Sequence, residues 1–156
     1  MKPIEGYNKL RGGYYTPEKI AEFIATWAIR TKNDEILEPS CGDGSFISAI
    51  ADRLHEMGAS DQYIKRNVTG VELDKVEASK ASQYRPNVVQ SDFFTYYQKC
   101  IDGEKKFDVI VGNPPFIRYQ NFSDYPIFRC WDFIHHFHGF DNQECLTLSN
   151  FVSYRY

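Results

Sequence analysis

The tetrapeptide Asn113-Pro114-Pro115-Phe116 carries the side chains in this sequence that are best suited to chemistry. It follows the apolar run 107–112, which predicts a buried strand. The end of that strand then presents one amide side chain, two stiffened carbonyl groups and one aromatic ring. An amide can hold an amino group through hydrogen bonds, and a ring can stack on a flat molecule. The tetrapeptide therefore predicts chemistry on an exocyclic or amide nitrogen of a planar substrate.

A glycine-bearing turn, residues 38–46, forms a second group of candidates between a predicted strand and a predicted helix. Small residues such as Gly42 and Gly44 let the backbone approach a ligand closely. Cofactors bind at the carboxyl ends of the strands in a doubly wound sheet, which is where this turn is expected. A tight turn without a ligand explains the two glycines equally well. The dinucleotide fingerprint needs a third glycine at the position of Ile47, so the turn does not indicate an NAD site.

Acidic residues end the next two predicted strands. Glu72 could accept hydrogen bonds from both ribose hydroxyls of a nucleoside cofactor. Asp92 and Phe93 could hold an adenine ring, with the acid on its amino group and the phenyl ring on its face. In isolation, Glu72 could equally be a solvated charge at a strand end. Asp92 and Phe93 could be a helix cap followed by a core residue.

Alternating elements must position these candidates. The pattern predicts strands over 35–38, 67–73, 86–90 and 107–111, and helices over 17–31, 46–57 and 74–82. Thr16 is expected to cap the first helix, in which Ile20, Phe23, Ile24 and Trp27 recur at helical spacing. The segment around 102–103 is expected to be hairpin-like. The alternation predicts an α/β fold, a parallel sheet flanked by helices, in which all the candidates converge on one crevice. A nucleoside cofactor beside a planar amine fits that convergence best.

Composition limits the classes of partner. The chain has 156 residues, enough for about one core, and a formal net charge of −3. Nucleic-acid binders usually have a basic surface, so a grip on DNA or RNA would have to come from a local patch or another domain. The amino terminus has no apolar signal segment, and no apolar run is long enough to cross a bilayer. We therefore expect no membrane association and a cytoplasmic location.

Cysteine and histidine usage argues against a metal. The four cysteines form no CxxC pair, which favours reduced thiols in a cytoplasmic protein. Cys130, His135, His138 and Cys145 have side chains that can bind zinc, but their spacing matches no common finger. A crowded aromatic tail is the simpler explanation, and no metal site is expected.

The motifs in combination resemble one family. Glu-Pro-x-x-Gly-x-Gly-x-Phe at 38–46, followed by Asn-Pro-Pro-Phe at 113–116, is similar to the S-adenosylmethionine-dependent amino-methyltransferases. Tyr-Tyr-Thr-Pro at 14–17, ahead of the glycine turn, is similar to the order in γ-group N6-adenine DNA methyltransferases, which include the methylases of restriction-modification systems. The resemblance covers roughly residues 11–120 and implies a Rossmann-like methyltransferase fold. The Asn-Pro-Pro-Phe motif is shared with protein-glutamine and RNA-base N-methyltransferases, which remain the alternative.

This resemblance implies a binding site for S-adenosylmethionine. Tyr15 and Thr16 would hold its methionine end, and the residues of the glycine turn would line the pocket. Glu72 would bind the ribose and Leu73 would lie against the adenine. Asp92 and Phe93 would complete the adenine site. The implied residues are Tyr15, Thr16, Glu38, Pro39, Cys41, Gly42, Gly44, Glu72, Leu73, Asp92 and Phe93.

The same resemblance implies that residues 113–116 act on a target adenine. The Asn113 side-chain oxygen and the Pro114 carbonyl would accept the two N6–H bonds. A more tetrahedral N6 would then direct its lone pair at the sulfonium methyl group. Phe116 would stack on the adenine, flipped out of double-stranded DNA. The implied activity is site-specific methyl transfer to adenine N6 in a restriction-modification system.

The carboxyl-terminal part departs from the family pattern. We expect an arm over 1–16 with the Tyr-Tyr-Thr-Pro motif, a partial methyltransferase domain over 17–119, and an aromatic-rich tail of unassigned structure over 120–156. The domain would be truncated, with its carboxyl-terminal strands missing and the fourth strand left as an open apolar edge. A second subunit could supply the missing strands and target recognition. The remaining hypothesis is a non-catalytic remnant that binds the cofactor or a partner.

Overall fold

The computed structural model describes residues 16–84, 86–102, 107–113, 144–148 and 151–155. All of them belong to one unit defined by backbone contacts, Tyr15–Pro114 together with Gln143–Tyr156. Some predicted site residues lie outside the described ranges: Tyr15, Pro114, Pro115 and Phe116.

Helices and strands alternate through the first described ranges. The helices are α1 (Glu18–Ala28), α2 (Ser45–Glu56), α3 (Asp61–Asn67), α4 (Lys75–Ala81) and α5 (Phe93–Asp102), with a 3-10 turn at Ser82–Tyr84. The strands are β1 (Ile36–Glu38), β2 (Val68–Glu72), β3 (Asn87–Gln90), β4 (Val109–Gly112), β5 (Glu144–Leu148) and β6 (Phe151–Arg155). Within these ranges, no helix is long and apolar enough to cross a membrane.

The sheet order is β3-β2-β1-β4-β6-β5. Strand β1 pairs in parallel with both β2 and β4, so that Ile36 faces Val68 on one side and Val109 on the other. Strand β3 extends the parallel part beyond β2. The predicted four parallel strands, with the first beside the fourth, are therefore confirmed.

The expected open edge at β4 is wrong. Strand β6 pairs antiparallel with all of β4, from Val109 opposite Arg155 to Gly112 opposite Val152, and β5 pairs antiparallel with β6. This pairing occupies backbone groups that an open edge would leave exposed. The sequence had a signal for it, because two β-favouring runs stand two residues apart, which is typical of a hairpin.

Helix α1 packs against α2 and β4 through a face of small residues. Its buried residues are Ala21, Ile24, Ala25 and Ala28. The expected apolar stripe is only partly correct, because Phe23 is 58% exposed and Ile20 is 36% exposed. Alanines have no long side chain to hold the helix away from its neighbours, so this face allows close packing. The core behind it is mainly aliphatic: Ile36, Ile47, Ile50, Leu54, Ile64, Val68, Val71, Val109 and Val111.

Three local predictions need correction. Pro17, not Thr16, is the N-cap residue of α1, and no side chain caps that helix. The segment around 102–103 was expected to be hairpin-like, but Asp102 is the last residue of helix α5. Asp92 caps this helix by accepting the backbone N–H of Thr95 at 2.9 Å. Helix α3 was not predicted, although Ser60 caps it through the N–H of Tyr63 at 3.3 Å.

Candidate active site

The glycine turn after β1 depends on the lack of a side chain at Gly44. Its φ is +97°, and a Cβ atom there would lie 2.8 Å from the Cα of Ala81 and 2.9 Å from the ring of Tyr84. Gly42 is also left-handed, with φ +51°, but has open space around it. The turn is tied to β2 by the N–H of Cys41, which donates to the carbonyl of Val71 at 2.9 Å. Gly44 thus lets α2 begin close against the end of α4.

Glu72 joins the ends of the parallel strands. Its Oε2 accepts the backbone N–H of Gly42 at 2.9 Å, and its Oε1 accepts that of Asp74 at 2.7 Å. Its own carbonyl accepts the N–H of Ser91 at 3.0 Å, just after β3. The glycine turn and the residues after β2 and β3 therefore meet, as the sequence predicted. Each carboxylate oxygen has a further lone pair, so Glu72 can still accept ligand hydroxyl groups.

The residues predicted to contact an adenine ring follow the ends of β2 and β3 in the chain. Asp92 uses Oδ1 to cap α5, so the interpretation of this residue as a helix cap is correct. Phe93 is half-buried and stacks on Tyr97, with ring centroids 6.1 Å apart. Leu73 is 58% exposed and Val76 is 62% exposed. Val76 was not among the residues predicted from the sequence. Exposed apolar side chains beside a carboxylate suit a flat ligand with polar edges.

Glu38 is a buried acid at the end of β1. It is 1% exposed, and its Oε1 accepts the backbone N–H of Ser40 at 3.1 Å. Burial raises the pKa of Glu38 to about 8, the Ser40 hydrogen bond opposes that rise, and the nearby carboxylates of Glu72 and Asp43 add to it. Burial at this position therefore favours the neutral carboxyl group over the carboxylate. Burial also raises the pKa of the Cys41 thiol, which disfavours a nucleophilic thiolate.

Gly112 makes room for Glu38 at the end of β4. A Cβ atom on Gly112 would overlap Oε1 of Glu38 and lie 3.2 Å from its Cδ. Sequence reasoning missed this role, although a glycine directly before Asn113 was its signal. The buried acid thus lies between the ends of β1 and β4, next to the residue that begins the predicted catalytic motif.

Asn113 is the described residue of the Asn-Pro-Pro-Phe motif. Its Nδ2 donates to Oγ1 of Thr16 at 3.2 Å, and Thr16 is 8% exposed. Among the described residues, neither Oδ1 of Asn113 nor Oγ of Ser40 has a hydrogen-bond partner, and both atoms are buried. A buried carbonyl oxygen without a donor costs about 1–3 kcal/mol. The amide is therefore held by one end while its acceptor stays unsatisfied.

The described site residues lie at the carboxyl edge of the parallel strands or in the segments that follow them. That edge is rich in acids: Glu38, Asp43, Glu72, Asp74 and Asp92. In the described part of the chain, no group of three or more histidine, cysteine or acidic side chains could hold a metal ion. Of the zinc candidates, Cys130, His135 and His138 lie outside the described ranges, and only the backbone of Cys145 is described.

Comparison with solved structures addresses the fold. A modification subunit of a putative type I restriction enzyme from Vibrio vulnificus YJ016 superposes with a TM-score of 0.57 and 19% identity, over 67% of this chain and 24% of that chain. An O-methyltransferase from Bacillus cereus in complex with SAH superposes with a TM-score of 0.53 and 16% identity, over 97% of this chain and 86% of that chain. The predicted Rossmann-like methyltransferase fold is thereby confirmed.

Sequence relatives identify the family. A Type II methyltransferase, M.HincII of Haemophilus influenzae, is 34% identical over 113 residues, which span 72% of this chain and 18% of that protein. The modification methylase CviBIII of Paramecium bursaria Chlorella virus NC1A is 31% identical over 114 residues, 69% of this chain and 26% of that protein. The chain thus spans about a fifth to a quarter of these relatives. The family model for N-6 DNA methylases matches residues 4–131. This chain belongs to the N-6 DNA methylase family.

Proposed function

We propose that this chain forms the cofactor-binding and amine-holding part of a site-specific DNA methyltransferase that methylates adenine at N6. Membership of the N-6 DNA methylase family supports the reaction class. The observation that carries the proposal is the position of Asn113. It follows β4, which is next to β1, and a glycine turn anchored by Glu72 follows β1. An amide acceptor at the same sheet edge as a nucleoside-type pocket suits transfer between a cofactor and an amine.

The described residues fit S-adenosylmethionine in shape and charge. Glu72 offers two carboxylate oxygens to the ribose hydroxyls, and Leu73 and Val76 offer apolar surface to the adenine ring. The acidic edge favours a ligand that carries ammonium and sulfonium charges. A cation beside Glu38 would lower the pKa of its carboxyl group and favour the charged form. Tyr15, Pro39 and Cys41 complete the proposed pocket.

Positioning is the proposed catalytic contribution of the chain. When bound, S-adenosylmethionine supplies an electrophilic methyl group on a positively charged sulfur. Asn113 Oδ1 and the carbonyl of Pro114 accept the two N6–H bonds and direct the nitrogen lone pair at that methyl group. The target N6 would accept that methyl group and then release its extra proton to solvent. Phe116 stacks on the flipped adenine.

We propose double-stranded DNA as the substrate. The acidic edge and the net charge of −3 give this part of the protein little attraction for phosphates. A second subunit, or further polypeptide like that of the longer relatives, would therefore supply the DNA-binding surface and target recognition. The similarity in fold to a modification subunit of a putative type I restriction enzyme is consistent with such a division of labour.

An acceptor assay tests this function directly. The full chain is incubated with S-adenosylmethionine that carries a tritiated methyl group and with mixed-sequence duplex DNA, RNA or a glutamine-rich protein. The proposal predicts label only in DNA, recovered after digestion as N6-methyldeoxyadenosine. DNA whose adenines already carry an N6-methyl group is the control and should accept little label. Label in RNA or protein contradicts the proposal, and binding without transfer to any acceptor indicates either the non-catalytic remnant or a missing second subunit.

A further inference from the structure

We infer that Thr16 is a positioning residue for Asn113, whose amide group its hydroxyl group holds in place at the end of β4. The inference rests on the proposed function, in which Asn113 Oδ1 accepts an N6–H bond. The family resemblance implies only a contact between Thr16 and the methionine end of the cofactor. The structure adds a direct hydrogen bond from Nδ2 of Asn113 to Oγ1 of Thr16, 3.2 Å long.

The contact between Thr16 and Asn113 is partly buried. Thr16 is 8% exposed, and it directly precedes Pro17, whose carbonyl accepts the N–H groups of Ile20 and Ala21 at the start of α1. Helix α1 packs against β4, the strand that ends directly before Asn113. Residues 97 positions apart in the chain are thus brought together by two regular elements. A partly buried hydrogen bond between residues that flank two packed elements is well suited to hold a side chain in place.

The consequence concerns the two ends of the amide. An amide group has a donor end and an acceptor end, and rotation by half a turn exchanges them. Because the hydroxyl oxygen of Thr16 takes the donor end, the acceptor end, Oδ1, faces away from it. Oδ1 has no partner among the described residues. The Thr16 contact therefore engages the donor end of the amide and does not occupy Oδ1, the acceptor that the proposed reaction needs.

Removal of the hydroxyl group tests the inference. Thr16→Val keeps the shape of the side chain but cannot accept the hydrogen bond, whereas Thr16→Ser can. We expect Thr16→Val to lower kcat roughly 3- to 10-fold, the worth of one hydrogen bond, with an unchanged Kd for S-adenosylmethionine. Thr16→Ser should restore kcat. Thr95→Val, the same change at an exposed position on α5, is the matched control.

A second readout does not need activity. In ¹⁵N-labelled full chain, the side-chain NH₂ signals of Asn113 can be assigned by their loss in Asn113→Asp. Thr16→Val should shift these signals and speed their exchange with water roughly 3- to 10-fold, while Thr16→Ser should not. Unchanged amide signals in Thr16→Val would overturn the inference. So would a weaker cofactor Kd with unchanged kcat, because Thr16 would then act only on the cofactor. If the chain alone transfers no methyl group, that result bears on the proposed function and on the need for a second subunit, and the amide signals decide the Thr16 contact independently of it.

Discussion

Replacement of Asn113 by alanine is expected to abolish methyl transfer and to leave the binding of S-adenosylmethionine nearly unchanged. The amide is the polar group at the end of β4 that can orient a target amine, and its Oδ1 has no other partner among the described residues. Loss of one oriented group that acts on the reacting atoms typically costs about 100-fold or more in rate. The cofactor is expected to rest on the glycine turn and Glu72, which the substitution does not touch. Its Kd should therefore change by less than about twofold.

The measurement is single-turnover transfer to duplex DNA at saturating cofactor, with the Kd taken from calorimetric titration. Asn87→Ala is the matched control, since it removes the same amide from an exposed position at the start of β3. The control should retain full transfer. Equal methylation by the Asn113→Ala variant and the unmodified chain would remove Asn113 from the active site. A parallel loss of cofactor binding would instead assign the residue to the cofactor pocket.

Replacement of Gly44 by alanine is expected to cost roughly 3–5 kcal/mol of folding free energy, from two independent causes. The backbone at Gly44 has φ +97°, a conformation that L-residues rarely adopt. The added Cβ would also lie 2.8 Å from the Cα of Ala81, and a backbone atom cannot move aside as a side-chain tip can. Since small domains are stable by only about 5–15 kcal/mol, this loss would leave the variant partly unfolded at growth temperature.

Urea unfolding followed by circular dichroism measures that loss. Gly58→Ala separates the two causes, because Gly58 also has a positive φ of +83° but no atom within 4 Å of the position that an added Cβ would take. The control should lose only about 1 kcal/mol, from the backbone conformation alone. Equal losses in the two variants would contradict the close approach of the glycine turn to α4.

Sequence patterns were sufficient for the parallel half of the fold. Short apolar runs separated by segments with helical spacing predicted β1 to β4. Asp74, the first residue of the helix predicted over 74–82, caps α4 through the N–H groups of Val76 and Glu77. The convergence of Glu72 and the glycine turn followed from topology, because the carboxyl ends of parallel strands share one edge. Patterns of this kind are local, and the shared edge of the parallel sheet brings the residues that follow each strand together.

Features that depend on distant partners were missed. No local pattern relates Gly112 to Glu38 or Thr16 to Asn113, because each pair is formed by packing between separate elements. The buried face of α1 was misassigned because small alanines can pack closer than larger apolar residues. Strands β5 and β6 were not predicted, although their two β-favouring runs stand two residues apart within the aromatic-rich segment. The structure shows their role, which is to pair with the edge of β4 through β6.

Calorimetric titration of the full chain with S-adenosylmethionine tests the central claim most directly, that the crevice beside Glu72 holds this cofactor. We predict saturable binding at a single site, and a Kd weaker by roughly 10- to 100-fold in Glu72→Gln, which keeps the size of the side chain but loses its charge. Glu56→Gln, on the exposed end of α2, is the control and should bind like the unmodified chain. Circular dichroism should show all three proteins folded. Absence of binding, or equal affinity of the folded Glu72→Gln variant, would contradict the account.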